Sequence, residues 1–181
     1  MRFKETNSEI LIPALNAEDP VLVAHAIRLA EPILRKGTDK DVLSLVVKIA
    51  REGAPEPMLQ ALLSLGEVKD PDLDLQLAEV VGNHPEIAFL QDALLSGLQN
   101  REFTLLEKLS RLPSWNGGGA QHHRLLTHLA RGVMGSRQLD DCNKVIVLAA
   151  NALRAGNTPV AVALLDGLVP VTGLSRRPLK I

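Results

Sequence analysis

The chain has 181 residues, of which 46% are hydrophobic and only 2% are aromatic. This length suits one domain with a sizeable core, and the apolar content excludes a largely disordered chain. The 20 basic and 21 acidic residues leave a net charge of −1, which argues against an electrostatic footprint for nucleic acid or for an anionic membrane.

The N-terminal half is predicted to form a series of short helices after a lead-in, residues 1–16. Asp-Pro pairs mark two of the helix starts, because aspartate caps free backbone N–H groups and proline is tolerated at the first helical position. Glycines mark most of the helix ends. The predicted helices run from Asp19-Pro20 to Gly37, from Thr38 or Asp39 to Gly53, from about Pro57 to Gly66, near 71–81, and from Pro85 to about Gly97.

The segment PDLDLQLAEVVGN, residues 71–83, could be a strand or a helix. Its first leucines alternate with polar residues, as in a half-buried strand. The alternation fails after Gln76, whereas Leu73, Leu77, Val80 and the following valine fall on one helical stripe about 100° wide. We therefore predict a helix here, ended by the glycine that follows the two valines.

The C-terminal half is predicted to continue the helices after one glycine-rich loop. That loop, PSWNGGGAQ, contains three consecutive glycines, which favour an irregular connection. The tail, residues 171–181, is basic and has no helical periodicity. The predicted helices are 101–112 before the loop, then 123–134, 140–155 and 158–168.

About nine helices and no strand predict an all-α fold. Neighbouring helices pair into hairpins of roughly 35–45 residues, the repeat length of helical solenoids. We expect residues 17–170 to form one repeat domain, a right-handed superhelix of antiparallel hairpins, because a single hairpin cannot bury its apolar face alone. A globular helix bundle is the alternative fold.

The segments HAIRLAEPIL, DPDLDLQLAEVVGNHPE and FLQDALLSGL resemble HEAT repeats. In their order they are also similar to the HEAT-like middle region of large bacterial putative membrane-bound dehydrogenases, and LLTHLARGVMGSRQ and ALLDGLV look like later blocks of that region. The resemblance covers about 20–170 and implies a non-catalytic HEAT-like solenoid. It implies no redox cofactor, because the chain lacks the propeller repeats and the Cys-x-x-Cys-His haem site of the complete family.

No residue pattern in the chain predicts catalysis or a bound metal. His122, His123 and His128 lie close in sequence, but gaps of five and six residues place them on diverging helical faces, and no H-E-x-x-H motif is present. Acidic pairs such as Asp140 and Asp141 are explained by their position at a helix start. The single Cys142 beside them is expected to be inert. We therefore expect no catalytic residue, no metal and no cofactor.

The function expected from these observations is a scaffold that binds a protein partner by its shape. Phe103, Trp115, His122 and His123 are the candidate interaction residues, because exposed aromatic side chains supply much of the energy of interfaces. Burial of Phe103 and Trp115 between hairpins is the alternative. The alternative function is a HEAT-like enzyme or a nucleic-acid-binding protein that uses the histidines, including His128. With no signal peptide or membrane-spanning stretch in the sequence, we expect no membrane insertion and a cytoplasmic location.

Overall fold

The computed structural model describes residues 8–117, 119–135 and 139–169. Within them the chain is all-α, as predicted, with ten α-helices, one 3₁₀ turn and no strand. The elements are α1 (Ser8–Leu15), α2 (Pro20–Lys36), α3 (Lys40–Glu52), α4 (Pro55–Leu65), α5 (Pro71–Asn83), α6 (Leu90–Leu98), α7 (Glu102–Ser110), the 3₁₀ turn Pro113–Trp115, α8 (Ala120–Gly135), α9 (Leu139–Arg154) and α10 (Thr158–Leu168).

The predicted helix starts are confirmed wherever a polar side chain caps the free backbone N–H groups. Asp19 Oδ1 accepts from the Val21 N–H at 2.9 Å. Asp39 and Asp70 each accept from two backbone N–H groups at the starts of α3 and α5. Asn157 accepts from the N–H three residues later at the start of α10. These caps are local, so the sequence alone was sufficient to place them.

Several predicted boundaries are wrong, and one helix was not foreseen. Helix α4 begins two residues and α8 three residues earlier than predicted, and α7 ends two residues earlier. The expected helix from Pro85 begins only at Leu90, because residues 84–89 form turns and Phe89 has a positive φ of 67°. Gly82 does not end α5, which continues to Asn83. Helix α1 lies within the stretch assigned as lead-in, where its Leu11 and Leu15 are buried.

The chain divides into two compact units, Met1–Leu98 and Gln99–Ile181. In the first unit, α2, α4 and α6 pack side by side in one row, and α1, α3 and α5 pack in a second row. Every helix of this unit thus packs against the helix two positions away, and most sequence neighbours, such as α3 and α4 or α5 and α6, also pack together. This is the packing expected of stacked hairpins, while the right-handed superhelix and the domain bounds 17–170 stay predictions.

Close backbone approach and a buried polar link hold the first row together. Gly97 of α6 lies against Gly66, the residue that follows α4, so closely that neither has room for a side chain. The fully buried Ser64 of α4 donates its hydroxyl to Glu31 of α2 at 3.0 Å and accepts from Gln60 at 3.0 Å. The row therefore depends on small residues and on one satisfied polar contact as well as on leucine packing.

The second unit repeats this arrangement with four helices. Helices α7 and α9 pack together, and so do α8 and α10. Helix α8 also packs against α7 and α9, and α10 packs against α9, so the two pairs are joined. Thr127 of α8 donates its hydroxyl to the Ala163 carbonyl of α10 at 3.0 Å. Gly167 lets α10 approach Ala130 of α8 closely. The tight α8–α10 contact leaves α7 and α9 to form the opposite side of this unit.

Candidate protein-binding groove

A groove runs between α7 and α9 in the second unit. Its central cavity has a volume of about 590 Å³. Phe103 and Glu107 of α7 and Arg111 just beyond it form one wall, while residues of α9 that include Lys144 and Val147 form the other. The lining is mixed in chemistry, since it contains apolar residues such as Phe103 and Val147 beside charged ones.

The central cavity continues into a smaller one at each end. A cavity of about 380 Å³ shares Phe103 and Lys144 with it and extends towards Glu102. A cavity of about 330 Å³ shares Arg111 with it and extends towards Asn157. We call these three cavities together the α7–α9 groove. It follows the length of both helices and so has room for an extended segment of polypeptide.

Helical periodicity explains why these side chains meet in the groove. Phe103, Glu107 and Arg111 recur every four residues and therefore share one face. On α9, Lys144 follows Asp140 by four residues and Val147 follows Lys144 by three, so these side chains share a face in the same way. The opposite faces of α7 and α9 lie in the core of the unit. Their buried residues are Leu105, Leu106, Leu109, Val145, Ala149 and Ala152.

Phe103 and Lys144 meet where the central cavity joins its neighbour. The Lys144 ammonium lies 5.7 Å from the centre of the half-buried Phe103 ring, within the range of a cation–π contact. Lys144 also donates to Asp141 Oδ1 at 2.9 Å. The hydrogen bond to Asp141, helped by the charges of Asp141 and Asp140, raises the pKa of Lys144, which is therefore a cation at neutral pH.

The groove carries more negative than positive charge. Its described lining contains the carboxylates of Glu102, Glu107, Asp140 and Asp141 and the cations of Lys144 and Arg111. Arg111 donates to Glu107 at 2.6 Å, and Lys144 is engaged by Asp141. Four carboxylates against two paired cations leave an excess of two negative charges.

The candidate interaction residues do not form one site. Phe103 lines the groove, but Trp115 is buried, with 2% of its surface exposed. The Trp115 ring stacks on His122 at a centroid distance of 4.1 Å and an interplanar angle of 22°. Partial burial lowers the pKa of His122, so its imidazole is neutral at pH 7 and acts in packing. For Trp115 the structure thus supports the alternative of burial.

His123 makes a different contact. Its Nε2 lies 3.0 Å from Asp166 Oδ2 of α10; the His123 side chain is half-buried and that of Asp166 is exposed. His128 of the same helix is half-buried. None of the three histidines lines the α7–α9 groove.

The sequence did not predict most of the residues that line the groove, among them Asp140, Lys144 and Val147. The signal that could have found them is the run KVIVL in α9, which is too apolar for one buried face. Ile146 and Val147 are 49% and 58% exposed, respectively. A helix with apolar residues on a second, exposed face is often a binding surface.

Among the described residues, no three histidine, cysteine, aspartate or glutamate side chains come together as a potential metal site. None of the helices within that part of the chain is both long and apolar enough to cross a bilayer. Comparison of the chain with protein-family models, with curated proteins and with solved structures finds no match.

Proposed function

We propose that this chain is a non-catalytic helical-repeat module, built of HEAT-like hairpins, that binds another protein through the α7–α9 groove. The observation that carries the proposal is the apolar centre of the groove. Val147 is 58% exposed on one wall, and the Phe103 ring is half-buried on the other. Charged residues at both ends surround this centre.

An apolar centre within a polar rim is the usual composition of a protein interface. An aromatic side chain in such a centre can contribute much of the binding energy once a partner excludes water from it. The packing of α7 against α9 holds both walls in place, so binding need not order the groove first. These features support recognition of a protein segment by shape and by apolar contact.

A photo-cross-linking experiment tests this function. The photoreactive residue p-benzoylphenylalanine is placed at Val147, in the groove, or at Val162, which is 43% exposed on α10 and outside it. We expect one partner to cross-link in the native cell from position 147 and not from position 162. The purified partner should then bind wild type and bind Phe103→Ala about tenfold or more weakly.

Equal cross-linking from both positions would contradict the proposed function. So would a partner whose affinity is unchanged in Phe103→Ala. Circular dichroism of each variant provides the control for folding, because Phe103 is only half-buried and its truncation should leave the helices intact.

A second candidate function, an enzyme, is favoured by one contact. The His123–Asp166 distance of 3.0 Å would orient an imidazole for acid–base chemistry. One turn along α8, however, Thr127 already donates its hydroxyl to the Ala163 carbonyl and so offers His123 no proton. A hydrolytic activity of the purified chain that is lost in His123→Gln and retained in Phe103→Ala would establish this candidate in place of the interaction module.

The nucleic-acid-binding alternative has less support from the described residues. Besides the histidines it would use the basic residues Arg124, Arg131, Arg137 and Lys144, of which Arg137 lies outside the described residues. Lys144 is engaged by Asp141, and the groove beside it is acidic. A labelled single-stranded oligonucleotide that bound the chain at physiological salt would support this alternative.

A further inference from the structure

The two ends of the α7–α9 groove differ in charge. At the end where α9 begins, Glu102, Asp140 and Asp141 face a single cation, Lys144. This acidic end therefore has an excess of two negative charges. The positive dipole end of α9 lies beside these carboxylates and offsets part of their potential.

The opposite end has no net charge in its lining. Arg111 lies there with its partner Glu107, and their charges cancel. Arg154, which donates to the Asn151 side chain at 3.2 Å, lies outside the lining. Amide side chains also line this end, including Asn116, and each amide offers both a donor and an acceptor to a polypeptide backbone.

We propose that the α7–α9 groove binds a partner peptide segment in which a lysine or arginine neighbours a large apolar side chain. The apolar side chain packs between Phe103 and Val147, and the cation lies at the acidic end, beside Asp140. This assignment rests on the proposed function and adds the chemistry of the partner to it.

The reasoning combines two independent properties of the groove. Its exposed apolar centre selects for an aliphatic or aromatic side chain, since burial of apolar surface drives association. Its charge selects the sign of the neighbouring residue, since like charges placed together across an interface are strongly unfavourable. A peptide with both features is complementary to the groove, whereas an acidic peptide is repelled from one end.

Fluorescence anisotropy of labelled peptides on the full chain tests the proposal. The probes are a 12-residue peptide that alternates arginine with leucine, the same peptide with glutamate for arginine, and the same peptide with serine for leucine. We expect only the arginine–leucine probe to bind at physiological salt. Asp140→Lys should weaken that binding about fivefold or more, and Val147→Glu should weaken it similarly.

The control variant is Asp166→Lys, which makes the same change in net charge on α10, outside the groove. We expect it to bind the arginine–leucine probe as wild type does. Equal weakening in Asp140→Lys and Asp166→Lys would mean that the probe responds to overall charge, and it would overturn the proposal. Tight binding of the glutamate–leucine probe would overturn it as well.

Two further outcomes would assign the groove to another occupant and so overturn the proposal. The chain's own tail contains Arg176, Arg177 and Lys180, so a variant with serine at these three positions should bind the probe as wild type does. Much tighter binding by that variant would indicate that the tail occupies the groove. A dimer in solution that Val147→Glu dissociates would assign the groove to a second copy of the chain.

The peptide experiment and the cross-linking experiment fail separately. If no probe binds but a partner cross-links at position 147, the peptide chemistry is wrong and the proposed function stands. If the arginine–leucine probe binds in the groove but no cellular partner cross-links there, the chemistry of the groove is right and the proposed function is wrong.

Discussion

Replacing Gly97 by alanine tests the contact between α4 and α6 in the first unit. A Cβ atom at position 97 would lie 2.5 Å from the Gly66 Cα atom, and a Cβ atom at Gly66 would lie 2.6 Å from the Gly97 Cα atom. Ordinary carbon–carbon contact requires roughly 3.5–4.0 Å, so the two backbones would have to separate by about 1 Å. No flexible side chain can move instead.

Two opposing effects set the size of the change. Alanine in a helix interior is favoured over glycine by about 1 kcal/mol. Overpacking of a core costs about 1–3 kcal/mol, and a clash between two backbones belongs at the upper end of this range. We therefore expect Gly97→Ala to lower the free energy of unfolding by about 2 kcal/mol. At an exposed helical glycine, the same substitution would instead raise the free energy of unfolding.

Urea denaturation followed by circular dichroism measures this difference. The matched control is Gly135→Ala at the end of α8, where an added Cβ atom meets nothing within 4 Å. We expect the control to be as stable as wild type or slightly more stable. A Gly97→Ala protein that equalled or exceeded wild type in stability would refute the close approach of α4 and α6.

Three further predictions concern single positions. Asp70→Ala removes the acceptor for two backbone N–H groups at the start of α5 and should lower the free energy of unfolding by about 1 kcal/mol in urea denaturation. Stability equal to that of wild type would contradict the capping role of Asp70. Gly37→Ala should also destabilise the chain by about 1 kcal/mol in the same assay, because φ at this position is 62°. The cause is backbone strain and not a clash, since an added Cβ atom would meet open space. Unchanged stability would contradict the left-handed end of α2. The pKa of His122 in the folded chain lies below its unfolded value of about 6.5. As the pH falls through 6.5, the unfolded chain therefore binds more protons than the folded chain, and the stability supplied by neutral His122 is lost. The variant His122→Phe can still stack on Trp115, and its thermal melts should lack this part of the pH dependence.

Helix starts were the most predictable part of the fold. Asp19, Asp39, Asp70 and Asn157 each bond to N–H groups two or three residues away, so the capping signal is complete within a few residues. The start of α6 was mispredicted because Pro85 looks like a first helical residue. The turns through 84–89 displace the helix start to Leu90, and the sequence pattern did not reveal them.

Burial was harder to predict from periodicity. Asp74 is 2% exposed in α5, a position that the helical stripe of that segment did not predict to be buried. Trp115 lies in a glycine-rich connection, yet the stacking of His122 from α8 completes its burial. Both outcomes depend on side chains that a helical wheel of a single segment does not contain.

By itself the sequence determined that the chain is all-α, where most of its helices begin, and which residues share a helical face. Those properties follow from interactions within one turn or two of the backbone. Only the tertiary structure decided that Gly66 meets Gly97, that Trp115 is buried, and that Phe103 and Val147 face each other across a groove. Each of these contacts joins residues on different elements, and the packing of whole helices decides which residues meet.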